Sequence, residues 1–315
     1  MHPTNGLHHI TAIAGPAQEN LDFYAGVLGM RLVKKSVNQD DPGTYHLFYA
    51  DDEGHPGTDL TFFPWSMPAP PRLGTGLAVE VSLEVPEGSL GYWGGRLEKY
   101  GTTVRPIETR FGERALPIVD PHGLQLALVE APAGRRPLFT PWPQSPIPSG
   151  QQIRGLAGAR AWERHEAETA QFLSAAMGLE PLAREGGWTR FGRAGTIGTL
   201  DVREEPDAPR GAWGAGAVHH LAWRVADEQE QLTVRTQVES AGGQATPVID
   251  RFWFKSVYFR EPGGVLFEVA TDGPGFTADE DARHLGESLV LPPWLETSRA
   301  SIEAGLPALV PPARI

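Results

Sequence analysis

The sequence predicts an α+β fold: four βαβββ units, paired into two curved sheets, with a C-terminal tail. Three observations predict it. A strand, a helix and then further strands recur in that order along the chain. Two openings are near copies, Gly6-Leu7-His8-His9-Ile10 and Ala217-Val218-His219-His220-Leu221, which is the mark of an internal repeat. Between them, residues 131–150 carry six prolines, cannot form regular structure and read as a join. The expected division is 1–132 for one pair of units, 133–152 for the linker, 153–272 for the second pair and 273–315 for the tail.

Each element has its own warrant. Residues 7–13 alternate and read as a strand. Leu21, Tyr24, Ala25 and Leu28 fall at helical spacing, and Gly29 sits where a helix would stop. Strands follow at 30–37, 45–50 and 59–64, the last after a turn from Asp51 to Gly57. Unit two reads as a strand at 76–85, a helix at 89–100 and a strand-turn-strand over 114–130. Unit three has a strand at 156–162, a helix at 165–177 stopped by Gly178, and strands at 188–192 and 198–203. Unit four opens on the second His-His pair, has a helix at 227–241 ended by Gly242-Gly243, and closes with a strand after Pro262-Gly263-Gly264. The tail is expected to be helical near 279–285 and 296–304, and to cover one cleft.

Composition bounds the function. The hydrophobic fraction of 40% and charged fraction of 21% are those of a globular domain. A formal charge of −12 with no basic cluster excludes a nucleic-acid groove or an anionic membrane surface. There is no cysteine, so a bound metal would have nitrogen and oxygen ligands. No apolar run reaches membrane-spanning length, and the expected location is the cytoplasm. The sequence leaves a homo-oligomer open.

A carboxylate inside an apolar strand is costly unless a positive partner meets it. Glu268, in Val265-Leu-Phe-Glu268-Val-Ala, is such a carboxylate. His220 and, by the repeat, His9 are the matching imidazoles. Two imidazoles and one carboxylate suit non-haem Fe(II) with open positions, and Mn(II) accepts the same set. Counting from the Pro-Gly turns puts Phe62 of unit one and Ala127 of unit two where Glu268 stands, so an apolar fourth position is expected. Strand alternation turns His8 and His219 away from the ligands, towards packing or supporting hydrogen bonds. Tyr258 reads either as a hydrogen-bond partner of a bound phenolate or as a strand tyrosine filling the barrel mouth, Arg251 as a group that neutralises an anion or as half of a surface ion pair with Asp250 or Glu261, and Phe252, Trp253 and Phe254 as the wall of an aromatic pocket or as a core plug. His46 and His55 read as ordinary.

The set Gly6-Leu-His-His-Ile-Thr11, Tyr45-His-Leu-Phe-Tyr-Ala-Asp, Pro56-Gly-Thr-Asp-Leu-Thr-Phe-Phe-Pro, Thr109-Arg-Phe-Gly-Glu-Arg, Val218-His-His-Leu-Ala, Tyr258-Phe-Arg-Glu-Pro-Gly-Gly-Val-Leu-Phe-Glu and Gly275-Phe-Thr-Ala-Asp-Glu-Asp resembles the vicinal oxygen chelate superfamily of glyoxalases, bleomycin-resistance proteins and extradiol dioxygenases. Within it the chain looks like the hydroquinone-type ring-cleaving dioxygenases. The resemblance implies Fe(II), or Mn(II), on His9, His220 and Glu268. It implies supporting or substrate-contacting roles for His8, Thr11, His219, Arg251 and Tyr258. It also implies O2 and a small aromatic substrate as partners. Two rivals stand beside it: a glyoxalase-like metal lyase or isomerase, and a non-catalytic protein that binds aromatic compounds.

Overall fold

The computed structural model describes residues 3–65, 69–136 and 138–312. Unit one comprises β1 (Leu7–Ala14), α1 (Ala17–Leu21) running into a π-helical turn (Asp22–Val27), β2 (Arg31–Asn38), β3 (Asp41–Ala50) and β4 (Asp59–Pro64). Unit two comprises β5 (Leu77–Pro86), α2 (Leu90–Lys99), β6 (Thr103–Val104), β7 (Glu108–Arg110), β8 (Glu113–Val119) and β9 (Gln125–Ala131). Unit three has β10 (Gly155–Glu163), α3 (Glu166–Phe172) with a π-helical end (Leu173–Met177), β11 (Glu180–Glu185), β12 (Trp188–Gly192) and β13 (Thr199–Glu204). Unit four has β14 (Val218–Val225), α4 (Glu228–Ser240), β15 (Ile249–Asp250), β16 (Lys255–Arg260) and β17 (Leu266–Thr271). β11 carries no sequence signal because all six of its residues are exposed and no apolar face forms.

The sheets do not follow the halves of the chain. One sheet has the order β15-β16-β17-β14-β1-β4-β3-β2 and joins units four and one. The other, β11-β12-β13-β10-β5-β9-β8-β6, joins units three and two. Each sheet therefore takes one unit from either side of the Pro-rich segment. The joins are the antiparallel pairs β1 with β14 and β5 with β10. Both sheets curl, as in the expected fold class. The helices pack on a shared core that includes Tyr24, Trp93, Leu173 and Val234.

The Pro-rich segment is docked rather than free. Arg136 donates to Gly57 O (3.0 Å) and pairs with buried Glu84 (3.2 Å). The tail also differs from expectation. Over 279–285 it forms only a short 3-10 turn (Ala282–His284): Asp279 and Glu280 bind Lys34 of unit one, and Asp281 is turned onto Arg283 within the tail. α5 (Arg299–Gly305) is helical as expected. The tail runs along β2, with Val290 N donating to Lys35 O (3.0 Å) and Leu291 and Ile302 packed on Val37. Its last positions, 313–315, lie outside the described residues. Among those described, no helix is long and apolar enough to cross a membrane.

Candidate metal centre

β1 and β14 cross side by side at the middle of the first sheet, and β17 runs parallel to β14 with Glu268 in register with Ala222. This brings His9, His220 and Glu268 together, all buried. His9 Nε2 and His220 Nε2 are 3.2 Å apart; Glu268 Oε2 lies 3.4 Å from the first and 3.0 Å from the second. At a metal–ligand length of about 2.1 Å, adjacent ligands sit roughly 3.0 Å apart in an octahedron and roughly 3.4 Å apart in a tetrahedron. The three atoms thus form one face around a single point.

The supporting contacts free these atoms for a cation. His9 Nδ1 meets His8 Nδ1 at 2.9 Å, and His220 Nδ1 meets His219 Nδ1 at 2.8 Å. With the shared protons on His9 and His220, both Nε2 atoms present lone pairs. Ser256 Oγ donates to Glu268 Oε1 (2.6 Å), while buried Oε2 has no hydrogen-bond partner. Three acceptors aimed at one point cannot satisfy each other, so the donor set fits a divalent metal ion. Burial works to raise the Glu268 pKa, but His9 and His220, when they instead carry a proton on Nε2 towards Oε2, more than offset it and hold the carboxyl well below the usual range. Burial, with the neighbouring imidazole, lowers His8 and His219 to about 3, so both rings are neutral.

The face opens on a cavity of about 300 Å³. Phe48, Phe63, Trp253, Phe254 and Leu266 form its apolar walls, and Asn38, Gln39, Asp40 and Arg251 a polar end. Arg251 holds Asp40 with both terminal nitrogens (3.2 and 2.9 Å), and Gln39 Nε2 donates to Arg251 O (2.9 Å). These bonds tie the β2–β3 turn of unit one to unit four across the cavity.

The family model for the glyoxalase/bleomycin resistance protein/dioxygenase superfamily matches residues 6–128 and 161–269. The chain belongs to this superfamily. It is 46% identical over 304 residues to a Bacillus subtilis protein named "Putative ring-cleaving dioxygenase MhqO", covering 96% of both chains. It is 36% identical to the chlorohydroquinone/hydroquinone 1,2-dioxygenase of Sphingobium indicum, covering 92% of both. A crystal structure titled as a putative dioxygenase from Bacillus subtilis superposes with a TM-score of 0.92 at 44% identity, covering 98% of this chain and 99% of that one. Glyoxalase I of Zea mays shares the fold, with a TM-score of 0.63 at 14% identity, covering 85% and 92%.

Within this superfamily fold, several expected placements change. His8 and His219 do not turn away from their neighbours. Each is the extra residue of a β-bulge: Leu7 and His9 face Trp223 and Ala222, while Thr11 and Ala12 face His220 and Val218. A bulge interrupts alternation, so both rings stay beside the ligand they support. His219 lines the cavity, stacked on Trp213 with ring centroids 4.3 Å apart, whereas His8 lies behind His9 and outside the lining. Phe62 is not the counterpart of Glu268. Residue Thr61 faces Thr11 as Glu268 faces Ala222, while Phe62 points to the core beside Tyr24. The position is therefore polar. Thr61 Oγ1 bonds to Thr11 Oγ1 (2.8 Å) and to His46 Nε2 (2.9 Å).

Thr11 is buried beneath the site and supports Thr61 without lining the cavity. Tyr258, paired with Glu268 across β16 and β17, does line it, as does Arg251. Burial and the Glu268 charge raise the Tyr258 pKa, keeping its phenol protonated. His46, read as ordinary, is a wall residue, and Ser256, Asp40 and Gln39 carried no signal. Alternation along β3 from the buried Phe48 could have flagged His46. His55 pairs with Asp51 (2.8 Å), outside the lining.

Proposed function

We propose that the chain is a non-haem ring-cleaving dioxygenase that uses Fe(II) and O2 to open a hydroquinone-type ring beside, rather than between, its oxygen-bearing carbons. The observation that carries this reading is a face of two imidazoles and one carboxylate that opens on an aromatic-walled cavity. The superfamily assignment and the hydroquinone dioxygenase relative support it.

His9, His220 and Glu268 would hold the iron. When bound, Fe(II) supplies one-electron chemistry and open coordination positions for substrate oxygen and O2. The protein supplies the rest. His8, His219 and Ser256 fix the ligand rings and carboxylate in the converging arrangement. Phe48, Phe63, Trp253 and Phe254 take the faces of a flat ring and exclude water. Tyr258, held protonated, donates a hydrogen bond to a phenolate oxygen in the cavity. Arg251 adds positive charge at the polar end. Burial opposes that charge, but the Asp40 carboxylate, bound through both terminal nitrogens, offsets it.

The test is anaerobic reconstitution with Fe(II), followed by oxygen uptake on hydroquinone and on catechol. Uptake with hydroquinone supports the reading. Uptake with catechol alone would move the chemistry to cleavage of vicinal diols, and a protein that binds iron but consumes no O2 with either would end the proposal.

A further inference from the structure

The tail motif Gly275-Phe276-Thr-Ala-Asp279-Glu280-Asp281 lies outside the metal centre, yet its side chains close on the cavity wall from behind. Lys34, on β2, is fully buried, and a buried ammonium must be paired. Its Nζ donates to Asp279 Oδ1 (2.8 Å), to Phe276 O (2.9 Å) and to Glu280. The same Asp279 Oδ1 accepts the indole N–H of Trp253 (2.9 Å). Lys34 Nζ also lies 5.1 Å from the Trp253 ring centroid. Gly275 N donates to Trp253 O (2.8 Å), so the tail holds this residue at both backbone and ring. Phe276 meets Phe48, another wall residue, edge-on at 5.2 Å.

Trp253 stands in a tight turn. Phe252 has φ of 74°, its N–H donates to Asp250 Oδ1 (2.7 Å), and Arg251 N donates to Phe254 O (3.0 Å). A non-glycine residue in that region is strained and persists only where its surroundings fix it. The next residue along, Phe254, lies 5.2 Å from the His9 ring. The position of the aromatic wall against the ligands thus depends on the tail.

We propose that Asp279 is a positioning residue for substrate: by fixing the Trp253 indole against the cavity, it sets the width of the slot that receives the ring and so decides which ring substituents enter. This rests on the ring-cleavage reading for the identity of the substrate. Asp279 touches neither the ligand face nor the cavity, and acts through Trp253.

The test compares the full-length wild type, Asp279→Asn, Trp253→Phe and the double variant. Iron content, kcat and KM for hydroquinone and chlorohydroquinone are measured, with calorimetric titration of hydroquinone under nitrogen. Asp279→Asn is expected to keep iron content and kcat within about twofold and to raise KM and Kd about tenfold. Trp253→Phe, which alters the cavity wall itself, should raise KM and Kd by a similar factor, and the double variant should be no worse in KM and Kd than either single one. Unchanged KM and Kd in Asp279→Asn, loss of iron, or effects that multiply in the double variant would overturn the proposal. Should Asp279→Asn fail to fold, Trp253→Phe must still raise KM while Glu280→Gln, which spares the indole contact, must not. A wild type that binds hydroquinone without consuming O2 ends the ring-cleavage reading alone. A wild type with no heat of hydroquinone binding ends this proposal.

Discussion

The two sheets of this molecule are built on one plan and have opposite interiors. In each, the central antiparallel pair carries two bulges, at His8 and His219 in the first sheet and at Ala157 and Val79 in the second. The residues just after them are His9 and His220 in one, Gly158 and Glu80 in the other. The carboxylate position, two residues on and across the parallel pair, holds Glu268 in the first sheet and Asp201 in the second. Tyr258, beside Glu268, corresponds to Arg190, beside Asp201. The second sheet meets its carboxylates with guanidinium groups. Arg190 binds Asp201 through two contacts (2.7 and 3.1 Å), Arg110 binds Glu80, and Arg160 lies 3.5 Å from Asp201. Alanines 115, 127 and 157 fill the rest, and the remaining cavity is about 10 Å³. The lesson is electrostatic. A buried carboxylate needs a cation; the second sheet supplies it from its own arginine side chains, whereas the first presents donor atoms arranged for a metal ion.

The sharpest way to break this comparison is to neutralise each carboxylate. Glu268→Gln should abolish metal binding and lower oxygen uptake more than about a hundredfold. Asp201→Asn should leave both unchanged and lower stability by about 3 kcal/mol, because it leaves buried guanidinium groups short of a partner. Metal content and thermal melts of the two variants decide it. An Asp201→Asn protein that lost its metal would refute the division of labour.

Metal removal comes next. Chelation should destabilise the wild type by about 2.7 kcal/mol for an ion present at about a hundred times its Kd, and should not move the melting curve of Glu268→Gln. A smaller effect is expected behind the ligands. His8→Phe removes the Nδ1 contact that orients His9 and should weaken metal affinity about 10- to 100-fold, read by competition with a chelator.

A pH-dependent effect lies where the sheets meet. Glu163, at the end of β10, packs against Gly263 in the β16–β17 turn. Burial and the nearby Glu261 raise its pKa from 4.5 to about 9. A raised acid contributes stability fully below its unfolded pKa and loses it as pH climbs towards the folded value. Glu163→Gln does not titrate. It should therefore gain on the wild type steadily from pH 5 to pH 8 and melt well above it at pH 8. Parallel melting curves across that range would show that Glu163 is not a protonated acid in the fold.

Much of this was legible along the chain. Helix stops at Gly29, Gly178 and Gly242, the Pro-Gly turns and the apolar runs marked the units, because those signals are local. The three side chains that converge were legible too, since a histidine pair repeated in strands and a glutamate inside an apolar strand are each costly without a partner. The Arg251–Asp40 tie and the Lys34–Asp279 contact were not, because Asp40 and Asp279 stand in polar turns, where a carboxylate is ordinarily solvated and signals no partner.

By itself, then, the sequence determined the units, their order and which three residues would meet. The tertiary structure decided that units one and four share a sheet, that His8 and His219 stay beside their neighbours, and that Thr61 rather than Phe62 faces the site. The reason is that alternation and turn counting describe one strand at a time. A bulge inserts a residue only relative to a partner strand, so the side that a ring faces is fixed when β1 pairs with β14 and not before.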